Sequence, residues 1–100
     1  MSNEIYSIEE IKRRLYPVFK QHKIKNAILF GSYVKGKANG GSDVDLLVDS
    51  HLKGLRFVGF IEEVRNAVDK EVDVFDVTHI EKGSNIEEEI EKTGILLYRE

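Results

Sequence analysis

The fold of this chain depends on the segment LFGSYVKGKANGGSDVDLLV, residues 29–48, in which a glycine-rich connection joins two apolar runs. The final part, DVDLLV, residues 43–48, alternates in the period of two that predicts a β-strand. One face of this strand would be aliphatic and would consist of Val44, Leu46 and Val48. The other face would carry Asp43 and Asp45, so two like charges are expected on one side of a half-buried strand.

Two interpretations of Asp43 and Asp45 are open at this point. Two carboxylates held ~4 Å apart repel each other by about 4 kcal/mol at an effective dielectric constant near 20. A divalent cation would offset that repulsion, and Mg²⁺ is typically bound by one or two carboxylates together with substrate phosphates. The alternative is a polar strand end that faces water, where solvent screens the charges.

Gly31 and Ser32 follow the apolar run NAILF, residues 26–30, which is predicted to be a buried strand. A helical turn is expected over residues 33–37. Backbone N–H groups at the start of a helix bind anions, and glycine lets a phosphate approach closely. The alternative is an ordinary strand-to-helix turn in which Ser32 caps the helix.

A third aspartate, Asp73, lies in EVDVFDV, residues 71–77, which is predicted to be another strand because it is rich in valine. If this strand neighbours residues 43–48, Asp73 would join Asp43 and Asp45, and three carboxylates could bind two metal ions. Asp76 is the competing candidate. It falls on the opposite face from Asp73 in a regular strand, so only one of them can join the cluster. We therefore expect Asp76 to be a solvated or edge residue.

The remaining elements are predicted from helical spacing and capping signals. Capping boxes are predicted at residues 7–10 and 84–87, and an apolar stripe at helical spacing covers residues 57–68. Pro17 lies late in the first helix and is expected to kink or shorten it. Residues 95–98 would form a short strand or a docked tail. The predicted fold is α/β (α+β), a small mixed sheet with helices packed against it, in a single domain spanning residues 1–100.

Composition excludes several classes of protein. The chain has 100 residues, a formal net charge of −3 and no cysteine, which argues against a nucleic-acid footprint and excludes disulfides and thiolate metal sites. The acidic N-terminus has no apolar core of a signal peptide, and no apolar run approaches the roughly 20 residues of a membrane span. The three histidines have no metal-ligand spacing. We expect a cytoplasmic protein that binds neither membrane nor nucleic acid directly.

The joint pattern is more specific than its parts. Gly31-Ser32, ten intervening residues and then Asp43-Val44-Asp45 resemble the signature of the nucleotidyltransferase superfamily that includes DNA polymerase β, with Gly36 and Ser42 also in place. In its length and in nearly all of its elements the chain resembles the minimal nucleotidyltransferase (MNT) proteins of bacteria and archaea. It departs from the family pattern at Tyr33 and Lys35, where arginine is common.

The resemblance implies a role for each site residue. Gly31, Ser32 and Ser42 would bind the nucleotide, with Gly31 and Ser32 at the β- and γ-phosphates. Asp43, Asp45 and Asp73 would be the catalytic and metal-binding residues and would hold Mg²⁺, two ions in each site. Asp73 would also help to activate an acceptor hydroxyl, which attacks the α-phosphorus and releases pyrophosphate. Lysine at position 35 would keep a positive charge but lose the planar fork of arginine.

The resemblance also implies a partner. MNT proteins are often antitoxins of HEPN-domain RNase toxins, and they transfer AMP from ATP to a tyrosine hydroxyl of the toxin. Two other functions are open: a non-catalytic antitoxin that neutralises its partner by contact, and a nucleotidyltransferase acting on small molecules. A partner is expected to complete the active site, and a homo-oligomer is also open. The motif itself does not encode which base the nucleotide carries.

Overall fold

The computed structural model describes residues 4–100, and the predicted order of elements is confirmed within that range. The helices are α1 (Ile8–Gln21), α2 (Leu55–Val68) and α3 (Asn85–Thr93). The strands are β1 (Asn26–Phe30), β2 (Val44–Asp49), β3 (Val72–Asp76) and β4 (Ile95–Arg99). Two short 3-10 turns follow β1 and β3, at Gly31–Tyr33 and Val77–His79. The last segment is therefore a strand and not a docked tail.

The four strands form one mixed sheet in the order β3-β2-β1-β4. β1 pairs antiparallel with β2 and with β4, whereas β2 and β3 are parallel. A parallel pair needs a crossover connection, and α2 supplies it between β2 and β3. The two strands that carry the predicted aspartates are consequently direct neighbours.

The core lies between the sheet and the pair of helices α1 and α2. Val44, Leu46 and Val48 are fully buried, as their alternation in β2 predicts. Phe19 of α1 and Phe60 of α2 join them in one apolar cluster. Helix α3 lies over the other face of the sheet, where it contacts β1. The carboxylate-bearing face of β2 is therefore the face that α3 partly covers.

Helix α1 begins with half of the predicted capping box. The Ser7 hydroxyl accepts a hydrogen bond from the Glu10 backbone N–H at 3.1 Å. The Glu10 carboxylate pairs with Arg13 and Arg14 and does not reach back to Ser7. Its two arginine partners lie one turn ahead on the same helix face, where side chains three and four residues apart meet.

Of the two effects expected of Pro17, a kink or a shortening, the shortening does not occur, because α1 continues through Pro17 to Gln21. Proline removes only one backbone donor, and the buried side chains of α1 (Ile11, Leu15 and Phe19) anchor the helix to the core on both sides of it. Within residues 4–100 no helix is long and apolar enough to cross a membrane.

Candidate functional site

Asp45 and Asp73 occupy equivalent positions on the parallel strands β2 and β3. Their side chains interact directly, and the pKa of Asp45 is raised to about 6. Burial is the largest cause, followed by the charge of Asp73, a hydrogen bond shared with Asp73, and the charges of Asp43 and Glu89. The Asp45 carboxyl group therefore holds its proton more tightly than a free aspartate does.

Every charged group that acts on Asp45 is negative. Within residues 4–100 no lysine or arginine forms an ion pair with Asp43, Asp45 or Asp73. Oxygen ligands and uncompensated negative charge are the properties that suit a hard divalent cation. The donor set at Asp45 and Asp73 therefore fits Mg²⁺.

The predicted third metal ligand, Asp43, does not converge with Asp45 and Asp73 into a metal site of three carboxylates. It lies just before β2 and is exposed, although its charge reaches Asp45. In the part of the chain that the structure describes, no three histidine or acidic side chains converge closely enough to hold a metal ion. The structure thus brings Asp45 and Asp73 together and leaves Asp43 at the edge of the pair.

Gly31 lies directly against the Asp45 carboxylate. A Cβ atom at Gly31 would be 2.1 Å from Oδ2 of Asp45, and the φ of Gly31 is +79°. Both the space and the backbone conformation therefore require glycine. The helical turn predicted for residues 33–37 is a 3-10 turn over Gly31–Tyr33, so it begins two residues earlier, at the end of β1. Ser32 follows Gly31 in the same turn and is partly buried.

The glycine-rich loop that leads into β2 is held by its own polar groups. The Ser42 hydroxyl accepts a hydrogen bond from the Asn39 N–H at 2.9 Å, and Gly41 donates its N–H to the Asn39 side chain at 2.8 Å. Ser42, predicted to bind the nucleotide, therefore shapes the loop in this structure. A hydroxyl can donate as well as accept, so Ser42 keeps a donor for a phosphate oxygen.

Lys70, which is not part of this loop, holds it through a hydrogen bond. The sequence analysis did not identify this residue. Its Nζ donates a hydrogen bond to the Gly40 carbonyl at 3.2 Å and lies 5.5 Å from the centre of the Tyr6 ring. Lys70 is only 2% exposed, which is rare for lysine. The only sequence signal was its place two residues before β3.

The two departures from the family pattern have different structural roles. Tyr33 is part of the core at 7% exposure, and its hydroxyl has no hydrogen-bond partner among the described residues. It therefore packs inward and is not placed to contact a nucleotide. Lys35 is exposed and forms an ion pair with Glu89 of α3, the same glutamate whose charge acts on Asp45.

Asp76 lies on the edge strand β3 but is buried at 4% exposure, so the expectation of a solvated residue is wrong. It accepts hydrogen bonds from the Ser50 N–H at 3.0 Å, the Ser50 hydroxyl at 2.6 Å, the Thr78 N–H at 3.1 Å and the Thr78 hydroxyl at 2.8 Å. Burial alone would raise the pKa of Asp76, but these hydrogen bonds outweigh burial and lower it to about 2. Asp76 is thus a structural carboxylate that links the ends of β2 and β3.

Comparison with known proteins decides the family. The family described as "Polymerase beta, Nucleotidyltransferase" matches residues 13–100. The chain belongs to this nucleotidyltransferase family. The matched range contains the Gly31-Ser32 turn and all three aspartates of the nucleotidyltransferase signature.

Individual relatives extend the comparison. A putative protein adenylyltransferase from Methanocaldococcus jannaschii is 40% identical over 73 residues, which cover 68% of this chain and 75% of that protein. Among solved structures, a toxin–antitoxin complex with AMP-PNP superposes with a TM-score of 0.71 and 21% identity, covering 89% of this chain and 73% of that chain. A complex of the tri-AMPylated Shewanella oneidensis HEPN toxin with its MNT antitoxin gives a TM-score of 0.66 and 18% identity, covering 93% and 73%. These structures confirm the predicted nucleotidyltransferase fold.

Proposed function

We propose that this nucleotidyltransferase transfers AMP from ATP to a tyrosine hydroxyl of a HEPN-type toxin and thereby acts as its antitoxin. The observation that carries the proposal is the Asp45–Asp73 pair, in which two interacting carboxylates lack any positive partner among the described residues. A relative named as a putative protein adenylyltransferase supports the choice of AMP and of a protein acceptor. The toxin–antitoxin structures of the same fold support the choice of partner.

Asp43 and Asp45 are proposed to hold Mg²⁺, and Asp73 to contribute to the same metal site. The bound ions would neutralise charge on the triphosphate and on the attacking and leaving oxygens. Asp45 and Asp73 could bind a metal ion without a conformational change, because they already lie opposite each other on β2 and β3. Rotation of the exposed Asp43 side chain would complete the set.

Gly31 and Ser32 are proposed to bind the β- and γ-phosphates, and Ser42 to hold the loop that borders them. The Asp45 carboxylate occupies the space that a side chain at Gly31 would fill, so the backbone of this turn lies directly against the carboxylate pair. Phosphate oxygens there can accept hydrogen bonds from backbone N–H groups and from the Ser32 hydroxyl. The exposed Lys35 can exchange Glu89 for a phosphate, since both are anionic partners.

The reaction is a direct displacement at the α-phosphorus of ATP. The acceptor hydroxyl loses its proton to Asp73 as its oxygen forms the new bond to phosphorus. The bond between the α-phosphorus and the bridging oxygen breaks, and pyrophosphate leaves with that oxygen. An ionised Asp73 is required as proton acceptor, and a cation at the pair favours that ionised form.

The test is transfer of label from α-labelled ATP to the cognate HEPN protein in the presence of Mg²⁺. We expect wild type to label its partner and the double variant Asp43→Asn with Asp45→Asn to lose labelling by at least 100-fold. Asp69→Asn is the matched control, because Asp69 caps α2 in the left-handed conformation that asparagine also adopts. Equal labelling by wild type and the double variant would contradict catalysis. Full protection of cells by the double variant would favour neutralisation by contact.

A further inference from the structure

The carboxylate-bearing face of the sheet becomes apolar immediately beyond the two aspartates. Leu47 follows Asp45 on the same face of β2 and pairs with Phe75 of β3, as Asp45 pairs with Asp73. A pocket of about 170 Å³ opens at Leu47. Its apolar wall consists of Leu47, Val77, Ile80 and Ile90, and two acidic residues of α3, Glu87 and Glu91, also line it.

The volume of this pocket selects the size of its ligand. A cavity of roughly 150 Å³ lined by aliphatic and aromatic side chains is known to bind benzene. The pocket at Leu47 therefore has room for one six-membered ring, which is smaller than the bicyclic base of ATP. Val77, which lies on its wall, is 41% exposed, so a ring can enter from solvent.

The charge around the pocket selects the kind of ligand. Glu87 and Glu91 line it directly, and the carboxylates of Asp45 and Asp73 lie on the same face of the sheet. The carboxylates of Glu87 and Glu91 on the wall repel the phosphates of a nucleotide and accept a neutral ring. A hydroxyl on that ring can donate a hydrogen bond to a carboxylate, which a purely apolar ring cannot do.

The spacing along the strand connects the pocket with the reaction. Leu47 is two residues from Asp45, which corresponds to about 6.6 Å along a strand. Asp73 lies beside Asp45 at the same level. A ring seated against Leu47 can therefore direct a hydroxyl group towards the carboxylate that is proposed to accept the proton.

From these observations we propose that the pocket at Leu47 binds the aromatic ring of the acceptor and thereby selects a phenolic hydroxyl over an aliphatic one. The inference rests on the proposed function and adds to it the place where the acceptor binds. Seated there, the phenolic oxygen bonds to the α-phosphorus, its proton passes to Asp73, and the bond to pyrophosphate breaks. Serine and threonine hydroxyls would be poor acceptors because they carry no ring to fill the pocket.

The first test measures ring binding without any transfer reaction. Methyl-labelled protein is titrated with p-cresol, the side-chain analogue of tyrosine, and followed by NMR. We expect the methyl signals of Leu47, Val77, Ile80 and Ile90 to shift. The variant Val77→Phe fills the pocket and should weaken p-cresol binding by at least 10-fold. Val58→Phe is the control, because Val58 is 54% exposed on α2 and does not line the pocket.

The second test measures the transfer reaction with the HEPN partner. We expect Val77→Phe to raise the KM for the partner by at least 10-fold and to leave the KM for ATP unchanged, while Val58→Phe changes neither. Failure of p-cresol to shift the pocket methyls would overturn the inference. A raised KM for ATP would also overturn it, because the pocket would then serve the nucleotide. Binding of p-cresol by a wild-type protein that transfers no AMP would support the ring site and contradict the proposed function.

Discussion

Gly31 and Asp45 are in such close contact that the carboxylate occupies the space of a side chain at position 31. A Cβ atom at Gly31 would lie 2.1 Å from Oδ2 and 3.0 Å from Cγ of Asp45. The turn that ends β1 and the carboxylate pair are therefore one structural unit. Any side chain at position 31 must displace the carboxylate that the proposed metal site requires.

Gly31→Ala is expected to destabilise the fold and to abolish the stabilisation by Mg²⁺ and ATP. The substitution has a backbone cost of about 1–2 kcal/mol because φ is positive, and it also displaces Asp45. Gly83→Ala is the matched control, since φ is +81° there and no heavy atom lies within 4 Å of the added Cβ. Thermal unfolding with and without ligand measures both effects. An unchanged ligand-dependent gain in Gly31→Ala would contradict the prediction.

Asp45→Asn is expected to stabilise the ligand-free protein at neutral pH. The pKa of Asp45 is raised from 3.8 to about 6, so the folded state binds more protons than the unfolded state between these values. The stability of wild type should therefore fall as pH rises from about 4 through 6. Because Asp45 is partly exposed, we reduce its contribution to about 1 kcal/mol, which corresponds to a rise in Tm of roughly 4–8 °C in the variant at pH 7.5.

The same variant should lose its response to the ligand. Mg²⁺ with ATP is expected to raise the Tm of wild type, because a ligand that binds only the folded state stabilises it, and Asp45→Asn removes a proposed metal ligand. Asp69→Asn should behave as wild type in both conditions. Equal ligand-dependent gains in wild type and Asp45→Asn would contradict a metal site at Asp45.

Asp76→Asn is expected to cost about 2 kcal/mol of stability at pH 7, because an amide nitrogen cannot accept the hydrogen bonds that the buried carboxylate accepts from Ser50 and Thr78. The pKa of Asp76 is lowered to about 2, so its contribution is present above pH 4 and is lost as pH falls through 2. Urea unfolding at pH 7 and near pH 2 measures the difference. Equal urea midpoints for the two proteins at pH 7 would refute this role.

Lys70→Met is expected to loosen the glycine-rich loop without unfolding the protein. Methionine keeps an unbranched apolar stem but cannot donate to the Gly40 carbonyl, a hydrogen bond from a charged donor worth about 1.5–3 kcal/mol. Amide hydrogen exchange over residues 38–43 should speed up by at least 10-fold, and affinity for Mg²⁺ with ATP should fall by 3- to 10-fold. Lys53→Met, at an exposed position, is the control. Unchanged exchange in this loop would show that Lys70 does not hold it.

The parts of the fold that the sequence predicts are those that depend on short-range periodic patterns of apolar residues. The alternation of β2 gives both its buried face and the position of Asp45, and the valines beside Asp73 indicate its strand. Neither inference needs knowledge of distant residues. The pairing of Asp45 with Asp73 then requires that the two strands are neighbours in a register that aligns these residues, and the structure has both.

The features that sequence did not predict depend on partners far along the chain. Lys70 binds a carbonyl 30 residues away, and Asp76 accepts hydrogen bonds from Ser50, 26 residues away. No local sequence pattern identifies either residue as buried. Charged side chains are mostly exposed, so each is predicted to face solvent unless its distant partner is known. The exact start of the helical turn, at Gly31, was also not predicted.

The register between β2 and β3 links the packing of the core to the alignment of the two aspartates. The same register aligns Val44 with Val72, Leu46 with Val74, and Asp45 with Asp73. A slip of one residue would turn the aliphatic side chains outward and drive carboxylates into the apolar interior. Misaligned aspartates are therefore incompatible with a folded chain. A substitution that destabilises the core should therefore lower the fraction of folded molecules. The activity of each molecule that does fold should be unchanged.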